Sequence, residues 1–140
     1  MRLRRDLVEA IVAHARRDHP DEACGILAGP EGSDRAERFV PMSNAARSPT
    51  YFEFSTDEWF RVYRQMQAND EEAVVVYHSH TATEAYPSRT DIMVAGNYAK
   101  FLRSPHYILV STRDPDTHEL RSYRIVDGVV TEEPIDVVEP

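Results

Sequence analysis

The segment that most restricts the fold is Val74-Val75-Val76-Tyr77, four β-prone residues in a row that lead directly into His78-Ser79-His80. A continuous apolar run reads as a central strand covered on both faces, because a half-exposed strand would alternate with polar residues. Side chains alternate along a strand, so His78 and His80 share one face and Ser79 takes the other. Two imidazoles on one face can converge on a single ion.

A strand of this kind needs neighbours, and they are legible on both sides of it. Residues 4–17 place Leu7, Ala10, Ile11 and His14 at helical spacing, and Pro20 ends the segment. Cys24–Ala28 predicts a strand that turns at Gly29-Pro30, and Arg38–Met42 predicts a second. Residues 43–50 read as a loop, and Tyr51–Phe54 alternates as a short strand would. Ser55, with Glu58 three residues on, has the spacing of a capping box. It opens a helix with an apolar face of Trp59, Val62, Tyr63 and Met66, ending near Asn69. Residues 81–87 read as a loop, and Ser88 opens a third helix over roughly 89–102. His106–Ser111 is a further strand and 113–116 a turn, while Leu120–Val126 and Val129–Thr131 flank Asp127-Gly128 as a hairpin. The expected fold class is α/β (mixed α+β), a mixed sheet packed by about three helices. A chain of 140 residues suits a single domain, 1–140, with a core over roughly 5–126 and a short C-terminal extension.

Composition narrows the function. A formal net charge of −8 repels phosphate backbones, and Arg2, Arg4 and Arg5 are the densest basic cluster, so nucleic acid is not an expected partner. Glu9, His14, Arg16 and Arg17 interrupt the first apolar stretch, and no run is long enough for a membrane span, so no membrane partner and a cytoplasmic residence are expected. The lone Cys24 cannot form an internal disulfide and reads as a small buried group, since a nucleophile would need a base beside it. His14, His19, His106 and His118 are scattered and read as structural or exposed, and Tyr51, Phe52 and Phe54 as core. Oligomeric state is not legible in these features.

The chemistry concentrates in residues 78–91. A carboxylate from the helix after the strand, Asp91, can join the two imidazoles and leave a fourth position open, the arrangement of catalytic rather than structural zinc. Plainer readings stand beside this one. His-x-His is often two surface histidines, Ser88 and Asp91 fit a helix N-cap with an acidic first turn, and Glu22 fits a solvated charge near a helix end. His78-x-His80 followed by Glu84 is also the ligand spacing of a cupin. Glu72 and Asp91 stand where that pattern needs glycines, however, and the helices are too many for it.

The whole combination, His78-x-His80, seven residues, Ser88, two residues, Asp91, with Glu22 upstream in Asp21-Glu22-Ala23-Cys24-Gly25, resembles the JAMM (MPN+) metallopeptidase family over roughly residues 5–126. The resemblance implies a JAMM/MPN-like domain with a cytidine-deaminase-like arrangement, and one zinc ion per chain on His78, His80 and Asp91. It further implies that Glu22 takes a proton from the attacking water and passes it to the leaving amine, and that Ser88 stabilises the oxyanion. Tyr77–Asp91, Val110–Pro115 and Leu120–Ile125 are similar to the bacterial Mec-type members, and Thr81, where many relatives have proline, fits that subgroup. Those members act on ubiquitin-like sulfur-carrier proteins that end in Gly-Gly, in cysteine biosynthesis. The implied function is release of a C-terminal cysteine from such a carrier, whose tail could add as a strand to a sheet edge. The alternatives left open are a general isopeptidase for ubiquitin-like conjugates, a non-catalytic MPN scaffold, and a closed zinc site with Cys24 as fourth ligand.

Overall fold

The computed structural model describes residues 1–140. In chain order the elements are β1 (Arg2–Arg4), α1 (Arg5–Asp18), β2 (Cys24–Pro30), β3 (Arg38–Met42), α2 (Thr56–Ala68), β4 (Glu71–His80), α3 (Arg89–Tyr98), β5 (His106–Ser111), β6 (Glu119–Val126), β7 (Val129–Glu133) and β8 (Asp136–Val138). Six strands form one sheet in the order β3-β2-β4-β5-β6-β7, and β1 and β8 pair separately in parallel. The apolar run lies in β4, between antiparallel β2 and parallel β5. From Ala73 to its end β4 is buried throughout.

Alternation along β4 divides the core in two. Val75 and Tyr77 pack with Leu7, Ile11 and Ala15 of α1, together with Leu27 and Ile108. Val76 packs on the other side with Val62 and Met66 of α2 and Val94 and Ala95 of α3. His78 and His80 are in phase with Val76, so they emerge on the α3 side, where the helix following the strand brings its first turn. The β4–α3–β5 unit is the one parallel connection in the sheet. A crossover of that kind places a crevice at the C-terminal ends of its strands.

Most predicted elements form where their patterns place them, and the departures have local causes. Tyr51–Phe54 is no strand: Asn44 and Phe54 make a single isolated bridge. The alternation does bury Phe52 and Phe54, but Glu53 N–H donates to the Asn44 side chain at 3.1 Å and not to a neighbouring strand. The third helix stops at Tyr98, short of 102, as the amides of Lys100 and Phe101 turn back to Asn97 and Tyr98 in tighter turns. Ser55 caps α2, but the Glu58 carboxylate does not accept from Ser55 N–H; it accepts from Ser43 N–H at 2.7 Å, so the capping box is half made. β2 continues through Pro30. The two short strands β1 and β8 carry no pattern that would have marked them. At the predicted hairpin, Asp127 and Gly128 both have positive φ, 51° and 78°, as a type I′ turn requires.

Gly29 in β2 is there for space. A β-carbon on it would lie 1.6 Å from the backbone carbonyl oxygen of Arg35, which has no room to retreat because Glu37 N–H is bonded to Ala28 O at 2.9 Å. Gly29→Ala is expected to cost about 1–3 kcal/mol, the usual range for overpacking. Urea unfolding measures this, and an unchanged midpoint would refute the close approach.

Candidate metal centre

Two elements, β4 and α3, bring His78, His80 and Asp91 together. Their ligand atoms all lie within 4.8 Å of one another, and no other group of three such residues does so. Asp91 Oδ2 is 2.9 Å from His80 Nε2 and 3.1 Å from His78 Nε2. The His78 contact lacks hydrogen-bond direction, and both of its ring nitrogens are buried without a hydrogen-bond partner. A ring that is 3% exposed and has two unpaired nitrogens is costly to bury. An ion at its Nε2 would relieve that cost, and two imidazoles with one carboxylate are a donor set suited to zinc.

The chain also fixes the orientation of each ligand. His80 Nδ1 lies 2.8 Å from Glu84 O; a carbonyl can only accept, so Nδ1 carries a proton and Nε2 is the nitrogen turned to the centre, where it lies 2.9 Å from Asp91 Oδ2. The 81–87 loop that supplies this carbonyl is itself held. Ser111 hydroxyl donates to Thr83 O, Ala85 N–H donates to Glu119, and Tyr123 hydroxyl bonds Ala85 O. Phe52 stacks on the His78 ring with centroids 4.4 Å apart and planes 23° from parallel. Asp91 is fixed by the start of α3. Ser88 Oγ accepts from Asp91 N–H at 3.1 Å and Asp91 Oδ2 accepts from Ser88 N–H at 2.9 Å, a complete capping box. The plainer reading of Ser88 and Asp91 as a helix cap is therefore true, and it holds together with their place at the centre. Burial opposes charge on Asp91, but the nearby His78 ring, the hydrogen bond with His80 and Ser88 N–H hold its carboxyl well below the usual range. Burial likewise opposes charge on His80, yet the bonds with Asp91 and Glu84 leave it raised.

Glu22 lies just before β2, whose first residue, Cys24, pairs with His78 in the antiparallel ladder. It is not a solvated charge: it is 3% exposed and its Oε1 has no hydrogen-bond partner. Burial pushes its carboxyl up to about 8, against the pull of His80 and with the push of Asp91. The segment is tied to the strand carrying the ligands by Ser79, whose hydroxyl accepts from Ala23 N–H at 2.8 Å and whose own N–H donates to Ala23 O at 3.0 Å. Ser79, between the two histidines, is a functional neighbour that the motif does not flag. The signal was there, since a hydroxyl on the buried face of a strand has to find a partner.

Two rival ligands are set aside by position. Glu84 is exposed and offers His80 its backbone carbonyl, not its carboxylate. Cys24 is fully buried within the α2–α3 core, outside the ligand cluster, and burial pushes its thiol well above the ordinary range, away from the thiolate a metal ligand or nucleophile needs. His14 and His106 are buried and His19 and His118 exposed, all outside the cluster.

The family model of prokaryotic homologs of the JAB domain matches residues 4–126. CysO-cysteine peptidases of Mycobacterium tuberculosis and Mycobacterium bovis are 66% identical over 137 residues, covering 98% of this chain and 90% of theirs. A desampylase of Haloferax volcanii is 33% identical over 91 residues, 61% of this chain and 66% of that protein. Among solved structures, a protein from Desulfitobacterium hafniense superposes with a TM-score of 0.83 at 33% identity, over 99% of this chain and 93% of the other. A JAB1/MPN domain protein from Archaeoglobus fulgidus, 19% identical with a TM-score of 0.63 over 99% and 100%, shares the fold.

Proposed function

The chain belongs to the family of prokaryotic homologs of the JAB domain, and on that premise we propose that it is a zinc-dependent peptidase that releases a C-terminal cysteine from a ubiquitin-like sulfur-carrier protein ending in Gly-Gly, as a step of cysteine biosynthesis. One observation carries the chemistry: a buried cluster of two imidazoles and a carboxylate in which both His78 ring nitrogens are unpaired, with the buried Glu22 carboxylate, its Oε1 also unpaired, nearby. The 66% identity to CysO-cysteine peptidases over nearly the full chain supports the substrate.

His78, His80 and Asp91 hold the ion in this reading. Zinc bound there supplies a Lewis acid and lowers the pKa of a coordinated water from ~15.7 to ~7. Glu22, whose carboxylate gains proton affinity from burial, accepts a proton from the attacking water and returns it to the leaving nitrogen. Ser88 Oγ accepts from Asp91 N–H, so its own proton is free to donate to the developing oxyanion. A donor placed in that way contributes roughly 3 kcal/mol.

A groove of about 570 Å³ on the α2 and α3 side is lined by Phe52, Phe54, Trp59, Tyr63, Tyr98 and Phe101. One of its lining residues, Phe52, is the ring stacked on His78, and the groove offers apolar area for the folded body of the carrier. A glycine tail costs entropy to order, so the carrier body supplies much of the binding. Incubating the enzyme with a carrier bearing C-terminal Gly-Gly-Cys should shorten it by one cysteine, read by mass. The intact adduct should exceed its isolated tail peptide in kcat/KM by at least about tenfold, equivalent to 1.4 kcal/mol. Equal efficiency on both would indicate a broad peptidase instead. The desampylase likeness, and that to a probable TtuB-protein conjugate cleaving protease of Thermus thermophilus, favour one second reading, an isopeptidase for ubiquitin-like conjugates. Cleavage of lysine-linked conjugates with the cysteine adduct untouched would establish it.

A further inference from the structure

Between β3 and α2 the chain makes one loop, residues 44–54, that touches both halves of the centre. Ser48 O accepts the Glu22 N–H at 2.9 Å. Pro49 O accepts the hydroxyl of Thr81, the residue after His80, at 3.0 Å. Phe52 stacks on His78. The glutamate precedes β2 while the two histidines end β4, and one loop spans them.

Asn44 is the hub of that loop, and all of its amide capacity faces inward. Its Nδ2 donates to Glu22 O at 3.0 Å and to Tyr51 O at 2.8 Å. Its Oδ1 accepts from Ala46 N–H at 3.0 Å and from Glu53 N–H at 3.1 Å. The two acceptor bonds shape the loop locally, as asparagine does in many turns. The two donor bonds do something else: they tie the loop's far limb, through Tyr51 and hence the neighbouring Phe52, to the main chain of Glu22. An ordinary turn asparagine has no need of the bond to Glu22, which is 22 residues away in sequence.

We propose that Asn44 is a positioning residue for Glu22, fixing through its side-chain amide the placement of the proton acceptor relative to His78. The inference rests on the reading of Glu22 as that acceptor. Asn44 touches neither substrate nor ion; it acts through the Glu22 main chain and the 44–54 loop. Misplacing a reacting group by about 1 Å can cost about 100-fold in rate, so a hub that holds two halves of a centre together need move very little to matter.

Asn44→Asp isolates the function, because a carboxylate keeps both acceptor bonds and loses both donor bonds. In the zinc-loaded enzyme, kcat is expected to fall at least about tenfold with KM within about twofold and zinc still at one per chain, the pattern of an interaction made only in the transition state. In a Glu22→Gln background the same substitution should add no further loss, since its effect runs through the carboxylate already removed; full additivity would overturn the proposal. A readout independent of activity is amide exchange in the metal-free protein. The Glu22 N–H should exchange faster in Asn44→Asp than in the wild type, while Ile26 in mid-β2 stays protected. Unchanged exchange at Glu22 would also overturn the proposal, and it would do so even if the wild type cleaved no carrier adduct, which would instead count against the substrate reading. Asn44→Ser, which retains one short acceptor, replaces Asn44→Asp with the same expectations should the latter fold poorly.

Discussion

Glu22→Gln should retain the bound zinc and lower kcat by roughly two to four orders of magnitude, the range general acid–base catalysis supplies. The amide matches the carboxylate in shape and cannot accept the proton of the attacking water. The burial that makes the carboxylate useful also makes it a liability to the fold. With its pKa raised from 4.5 to about 8, the native state of the metal-free protein binds a proton there that the unfolded chain has released. Between those two values the unfolded state carries fewer protons, so stability falls as pH rises from about 4.5 through about 8. Glu22→Gln should remove that decline, and urea midpoints of the two metal-free proteins across this range measure it. Near wild-type turnover in Glu22→Gln would show that another group takes the proton.

Asp91→Ala and His78→Ala should abolish both zinc binding and hydrolysis, taking the metal content from one per chain to none. Their effects on the metal-free fold should differ. Asp91 also completes the capping box with Ser88, and loss of a cap costs about 0.5–2 kcal/mol. The carboxylate is in addition the partner of His80, so its removal leaves that buried imidazole without its acceptor. His78 has no hydrogen bond to lose; its replacement removes only the ring under Phe52. Elemental analysis and calorimetric titration with zinc test the first part, and urea unfolding of the metal-free variants the second. Full zinc retention in Asp91→Ala, iron as the sole active metal, or a site built around Glu84 would sink this assignment.

How much of this was legible beforehand follows from where each interaction is encoded. The candidate ligands are local, since strand alternation puts His78 and His80 on one face, and the helix directly after the strand carries Asp91. Glu22 was legible by its place in a motif, but its burial was not, because nothing near it in sequence says that Ser79 and Ser48 will draw its segment against β4. Tyr51–Phe54 shows the limit from the other side. Its alternation correctly gave the buried faces of Phe52 and Phe54, but a strand also needs a partner, and Asn44 satisfies the backbone in its place. β1 and β8 lie at opposite ends of the chain and pair over only three residues each, too short for a period to register.

The central place of β4 bears on the order in which the protein is made. Its two hydrogen-bonded neighbours are β2, which ends some forty residues before it starts, and β5, which begins well after it ends. Pairings between such distant segments close late and slowly. By the time Asp91 has left the ribosome every candidate ligand has been synthesised, but His80 still lacks β5 and the residue after it, Thr112, whose N–H will hold its carbonyl. An ion held by these residues would therefore meet an ordered cradle only after β5 has docked.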